Sequence, residues 1–275
     1  MRADMMSLPK RWLRRSHEHV VLWLGLGLLG TICLAWMLVA VPLIHVLPKR
    51  WASSFGRKAS THLTRFYLHA ITLIGACRFD LTELDTLRTE GPMLIAPNHP
   101  CLLDALLVIS RLPNIACIVK ADVFDNLFFG AAARLAGHIR NDAQLSMIKQ
   151  SVADLKSGSH LLVFPESTRT TRWPINRCKG TTALIAIRAK VPIQTVFIET
   201  DSAFLGKGWP LFRCPSFPVT FRVRLGRRFD PPEKAGTFTE DLECYFIDQL
   251  RHAPHFLSPE APQAPECDAA VQTAS

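Results

Sequence analysis

Apolar positions along the chain fall into two regimes. From Val20 to Leu47 the residues VVLWLGLGLLGTICLAWMLVAVPLIHVL run for 28 positions without a charge, beyond the ~18 that mark a membrane segment. After Gly91-Pro92 the apolar runs are short and separated by turn residues. Met93 to Ala96, Ile115 to Val119 and His160 to Phe164 predict buried strands, as does Val191 to Glu199, and Val219 to Phe229 alternates as a strand with one wet face. Between them, helices are predicted from Pro100, over Leu127 to Gly137, Ala143 to Lys156 with Gly158 as a stop, Gly180 to Lys190, and Phe238 to Arg251. Strands alternating with helices predict an α/β fold: a mixed, largely parallel sheet flanked by helices, with an N-terminal membrane-associated helical segment. Residues 62 to 79 read equally as an interfacial or a core helix. The expected division is a basic, apolar membrane-anchoring region at 1–79, an α/β domain at 80–253 and a disordered tail at 254–275, where Pro, Ala and Ser lack any apolar period.

Charge sharpens this division. Residues 1–79 hold 11 Lys/Arg against 2 Asp/Glu, leaving 21 of each for the rest of the chain. The α/β domain is therefore neutral, which excludes nucleic acid as a partner because such binding needs a basic stripe on the folded domain. Cations flank the apolar run on both sides: Arg2, Lys10, Arg11, Arg14 and Arg15 before it, Lys49, Arg50, Arg57, Lys58 and Arg65 after it. Lys and Arg mark the cytoplasmic side of a span, so equal bias fits a hairpin bent at Gly25, Gly27, Gly30 or Pro42. The length fits a single tilted crossing equally well. Gly25-x-Gly27-x-x-Gly30 matches a dinucleotide-binding pattern by letter, but it lies inside the apolar run instead of between a strand and a helix. The eight cysteines include no C-x-x-C pair, so neither a zinc site nor a secreted disulfide framework is expected.

Candidate chemistry gathers at strand ends. Asn98-His99-x4-Asp104 sits at a strand-to-helix junction. Five helical steps would turn the pair ~140° apart, but Pro100 favours the first helical position and leaves His99 outside the helix, free to fold back on Asp104. A carboxylate on one ring nitrogen fixes the tautomer and keeps the other nitrogen basic. After another apolar run, Phe164-Pro165-Glu166-Ser167-Thr168-Arg169 can present N–H groups, a hydroxyl and a guanidinium to an oxyanion. Gly137-His138-Ile139-Arg140 and Lys179-Gly180 add cations, each of which taken alone reads as a surface charge. There is no G-x-S-x-G elbow for a serine hydrolase and no H-E-x-x-H pair for a metal.

In chain order, Asn98-His99-x4-Asp104, Gly137 to Arg140 and Phe164 to Arg169, with Val191-Pro192-Ile193 as a fourth block, resemble the glycerolipid acyltransferases typified by 1-acyl-sn-glycerol-3-phosphate acyltransferase, across roughly residues 75–230. The resemblance implies a membrane enzyme of phospholipid biosynthesis. It would move a fatty acyl group from acyl-CoA or acyl-ACP to the hydroxyl of a lysophosphatidate-like lipid, with no bound cofactor or metal. It implies that His99 is the general base and Asp104 orients it. Asn98, Arg140, Glu166, Ser167, Thr168, Arg169 and Lys179 would bind substrate, with Arg140 and Arg169 pairing with the head group. The implied partners are a membrane lipid and, as donor, acyl carrier protein. The implied location is a bacterial inner membrane, with the catalytic domain facing the cytoplasm.

Two departures from the family pattern stand out. Ser167 occupies a position usually held by glycine, where a positive φ would strain a side chain. His138 replaces a common aromatic and is expected to be a satisfied residue, not a second base. The phrasing Glu199-Thr200-Asp201 and Gly206-Lys207-Gly208-Trp209-Pro210 is also similar to acyltransferases of bacterial aryl-polyene lipid pathways. Another acceptor, such as a lyso-ornithine lipid, another lysophospholipid or an aryl-polyene-type lipid, therefore stays open, as does a lipid-binding protein without catalysis.

Overall fold

The computed structural model describes residues 8–126 and 129–252. The predicted tail at 254–275 and the start of the helix predicted from Leu127 lie outside the described residues. The apolar run does not bend into a hairpin. It is one helix, α1 (Leu8–Val46), continuous through its glycines and Pro42 and about 58 Å long at 1.5 Å per residue. By length and composition it can cross a membrane, and only 11% of its apolar window is buried in the fold. Pro48 then starts α2 (Lys49–Leu73), which buries Tyr67, Leu68 and Ile71 on one face. Gly56 allows α2 to pass against the protein, because a Cβ there would lie 2.6 Å from the Ala136 backbone nitrogen. Beside it the buried Arg57 donates to Ala136 O at 2.9 Å and Asp154 Oδ1 at 2.6 Å.

The stretch read as a helix to residue 79 ends early, and β1 (Cys77–Asp80) opens the sheet. A 3-10 helix (Thr82–Thr89) leads to β2 (Leu94–Pro97), α3 (Asp104–Ile109) and β3 (Ile115–Lys120). Next come α4 (Ala121–Asp125), α5 (Gly130–Leu135), β4 (Ile139–Asn141), α6 (Gln144–Lys156) and β5 (His160–Leu162). The chain continues through α7 (Thr181–Ala189), β6 (Ile193–Thr200), β7 (Val219–Phe229) and α8 (Ala235–Arg251). The strand order is β1-β7-β6-β2-β5-β3-β4, and every pairing is parallel except β6 with β7. This is the expected mixed, largely parallel sheet.

Alternation along the strands sends side chains to two cores. Ile95, Cys117 and Leu162 face a core shared with α1, α2 and α3, whereas Leu94, Ala116 and Leu161 face one shared with α6, α7 and α8. Because β2, β5, β3 and β6 run in one direction, their C-terminal ends share an edge. The segments carrying the candidate chemistry leave the sheet there.

Candidate active site

Pro97 closes β2. The next residue, Asn98, gives its backbone N–H to Val196 O on β6 at 3.3 Å, and its side chain accepts from Ile198 N–H at 2.7 Å and donates to Ile198 O at 3.0 Å. The following residue is thereby freed to leave the sheet. The helix expected from Pro100 begins instead at Asp104, because Pro100 to Leu103 form a turn held by Leu102 N–H to Leu205 O at 3.1 Å. The pair meets across that turn: His99 Nδ1 lies 2.7 Å from Asp104 Oδ2, and Asp104 is fully buried. Oδ2 also accepts Cys101 N–H at 2.8 Å, and Cys101 Sγ is 3.0 Å from Oδ1. Facing a carboxylate, Nδ1 carries the proton and Nε2 is the free acceptor. Phe164 stacks on the ring with centroids 3.9 Å apart, covering one of its faces.

The segment after β5 is bound to the same turn. Glu166, 2% exposed, accepts His99 N–H at 2.9 Å, Asn176 N–H at 2.9 Å and the Thr170 hydroxyl at 2.8 Å. Burial raises its pKa above the ordinary glutamate value, and these donors together with His99 pull against that rise. Thr170 N–H returns the link to His99 O at 2.7 Å. Ser167 has φ +57°, the left-handed angle at which a side chain is strained. Lys179 N–H bonds Pro165 O at 2.8 Å and delivers its side chain to the same edge.

A cavity of about 1230 Å³ opens here, lined at one end by His99, Ser167, Thr168, Arg169, Lys179 and Lys207. It continues between α1 and α2 past Leu26, Leu29, Thr64 and Tyr67. Arg169 donates from Nη1 to Leu205 O at 2.9 Å and Gly206 O at 3.0 Å, tying the loop that carries Lys207 to the site. Asn98, Glu166 and Arg140 are not on the cavity wall. The first two spend their polar atoms on the scaffold, and Arg140 pairs with Asp125 at 2.8 Å and Asp142 at 2.6 Å. His138 lines the cavity, but its Nδ1 accepts Cys117 N–H at 3.2 Å. Burial, helped by Arg57, pushes its pKa down to about 4, so the ring is neutral.

Sequence reasoning assigned no site role to Lys207, to Lys120, which also lines the cavity, to Phe164 as the stacking partner or to Cys101. Only Lys207 had a visible signal, since two glycines flank it at a turn.

Residues 78–199, which contain the whole turn, match the Acyltransferase family. The chain thus carries an acyltransferase-family domain. It is 24% identical over 206 residues to a 1-acyl-sn-glycerol-3-phosphate acyltransferase of Pseudomonas aeruginosa, covering 72% of this chain and 76% of that one. The fold is similar to the crystal structure of the 1-acyl-sn-glycerophosphate (LPA) acyltransferase PlsC from Thermotoga maritima, with a TM-score of 0.61 at 14% identity. That similarity covers 87% of this chain and 98% of the other. The matched segment includes the His99 turn, and His99 lines the long cavity.

Proposed function

We propose that this acyltransferase moves a fatty acyl group from an acyl thioester, acyl-CoA or acyl-ACP, to the hydroxyl of a lysophosphatidate-like glycerolipid at a membrane surface. The observation that carries the reading is the 2.7 Å contact between His99 Nδ1 and a fully buried Asp104 at the cationic end of a long cavity. Nε2 takes the proton of the acceptor hydroxyl as its oxygen attacks the thioester carbonyl. The imidazolium, stabilised by Asp104, returns that proton to the leaving thiolate as the C–S bond breaks. No acyl-enzyme is needed. Arg169, Lys179 and Lys207 meet the anionic head group, and the apolar stretch under α1 and α2 takes the chain. At about 1230 Å³ the cavity exceeds the ~300–1,000 Å³ of sites for drug-sized ligands, as a lipid requires.

In this reading α1 crosses the bilayer and the basic flanks meet anionic lipid, so a bilayer-borne acceptor and a soluble thioester meet at the interface. A donor delivered by acyl carrier protein and a cytoplasmic face of a bacterial inner membrane belong to the same proposal. Ser167 at φ +57° favours a second reading, the same chemistry on a different lysolipid, because its side chain occupies space that glycine leaves open.

The deciding experiment is acyl transfer by the purified protein from CoA and acyl-carrier-protein thioesters to a panel of lysolipids. Lysophosphatidate turnover that falls by about 10²- to 10⁴-fold in His99→Ala is expected. Unchanged turnover in that variant overturns the assignment of the base, and exclusive use of another lysolipid selects the second reading.

A further inference from the structure

Cys101 is the one buried group of the His99 turn that the proposed chemistry leaves unused. It is 1% exposed. Its sulfur meets Leu103 N–H at 3.3 Å and Asp104 Oδ1 at 3.0 Å, with the Asp104 backbone N–H as a further donor. The N–H groups can only donate and Oδ1 can only accept, so the thiol rotor is fixed with S–H aimed at Oδ1. Burial, with the Asp104 charge adding to it, holds the thiol pKa well above its ordinary value. Cys101 is therefore a thiol and not a thiolate, which removes it as a nucleophile. Among the described residues the Asp104 carboxylate is hydrogen-bonded only to His99 and Cys101.

Resting on the assignment of His99 as base, we propose that Cys101 is a positioning residue. Its S–H occupies the second oxygen of Asp104 and so sets how strongly that carboxylate holds the Nδ1 proton of His99, and with it the pH at which His99 begins to work. A donor on Oδ1 draws charge away from Oδ2. Without it the carboxylate stabilises the imidazolium more, and neutral His99, the form that accepts a proton, is reached only at higher pH.

The other groups around His99 act elsewhere. Glu166 meets its backbone N–H, Phe164 covers its ring, and Arg169, Lys179 and Lys207 line the cavity together with neutral His138 and with Tyr67 from α2. None of them is bonded to Asp104, so a change at Cys101 removes one bond to the carboxylate, along with the Leu103 N–H contact to the sulfur.

The test uses the full-length protein in detergent, comparing Cys101→Ala, Cys101→Ser and Cys101→Val, the last keeping the bulk of the side chain without the donor. In Ala and Val the acid limb of the kcat/KM profile moves up by about half a pH unit, while Ser, which restores a donor, stays near the wild-type limb. Titration of the His99 ring nitrogens by NMR reports the same shift without turnover. Ala and Val limbs that superpose on wild type, or a Ser limb that moves as far as Ala, overturn the proposal. The parent assignment fails separately, through turnover that survives His99→Ala. The NMR titration still tests the link between Cys101 and His99 in that case.

Discussion

The two sides of the cavity's polar end are built on opposite terms. On the β2 side, His99, Asp104, Glu166 and Asn98 have their polar groups engaged inside the chain, apart from the His99 Nε2 left for chemistry. On the facing side, Lys179 and Lys207 are exposed, and their ammonium groups meet no carboxylate among the described residues. Arg140, further out, is held by Asp125 and Asp142. Buried and fully bonded groups are costly to disturb, because each lost partner leaves an unsatisfied atom. Exposed cations contribute little individually and are screened by salt. On the proposed function, the fold therefore fixes the geometry of proton transfer, while head-group selection would rest on side chains that can change without unfolding it.

The largest break in this comparison is expected at Asp104. Asp104→Ala removes both the tautomer lock and the charge that stabilises the imidazolium, and kcat falls about a thousandfold. Asp104→Asn is milder. Its amide oxygen can still accept His99 Nδ1–H and Cys101 N–H, with the NH₂ turned toward the Cys101 sulfur, so only the charge is lost and kcat falls about a hundredfold. Single-turnover rates with a saturating acceptor give the two numbers, and equal losses would assign the whole effect to the charge.

The fixed side was also the legible side. Asn98-His99-x4-Asp104 could be read because its spacing is local, and the sheet could be read because β3, β5, β6 and β7 are apolar or alternating runs bounded by turn residues. β1 was hidden at the end of an apolar helix, and β4 spans Ile139–Asn141 with one apolar side chain, too short to show a period. Pro100 predicts a helix start, but the turn it begins is set by Leu205, which lies 103 positions from its partner Leu102 in sequence and meets it only in the fold. Arg140 illustrates the same limit. Its position in the motif was visible, whereas its pairing with Asp125 depends on how α4 meets β4. In the sequence Cys101 is one of eight cysteines in no C-x-x-C pair, and only the fold brings its sulfur against Asp104.

Glu166→Gln sharpens the comparison through stability. The carboxylate accepts from His99, Thr170 and Asn176, and an amide in its place turns an NH₂ toward at least one of these donors. A loss of about 1–3 kcal/mol is expected, read from chemical denaturation. The pH dependence has a definite sign. With its folded pKa raised above the unfolded value, Glu166 binds a proton more tightly in the native state. Its contribution to stability is therefore fully present below the unfolded glutamate pKa and is lost as pH rises through the raised folded pKa. Gln cannot titrate, so the variant's stability profile is flatter across that window. Identical slopes would show that burial does not perturb this carboxylate.

Smaller effects are expected on the loose side. Lys207→Ala raises KM for a phosphate-bearing acceptor about three- to fivefold with kcat unchanged, and the loss shrinks as salt rises. Its loop stays in place, because Arg169 holds the Leu205 and Gly206 carbonyls and not the Lys207 side chain.

The smallest expected effect, and the one most specific to this chain, is at Asp125. Arg140 can meet a head group only by giving up Asp125, which grips it through two bonds of 2.8 and 3.1 Å. If Arg140 takes part in binding, Asp125→Ala lowers KM for lysophosphatidate about twofold, the size of a competing exposed ion pair. It leaves KM for an acceptor without a phosphate unchanged. Arg140→Ala then removes the difference between the two acceptors. If Arg140 only ties β4 to α4, Asp125→Ala leaves both KM values alone and lowers stability instead. Comparing the two acceptors in the two variants thus decides whether the second sequence block supplies a ligand to the site or a strut to the fold.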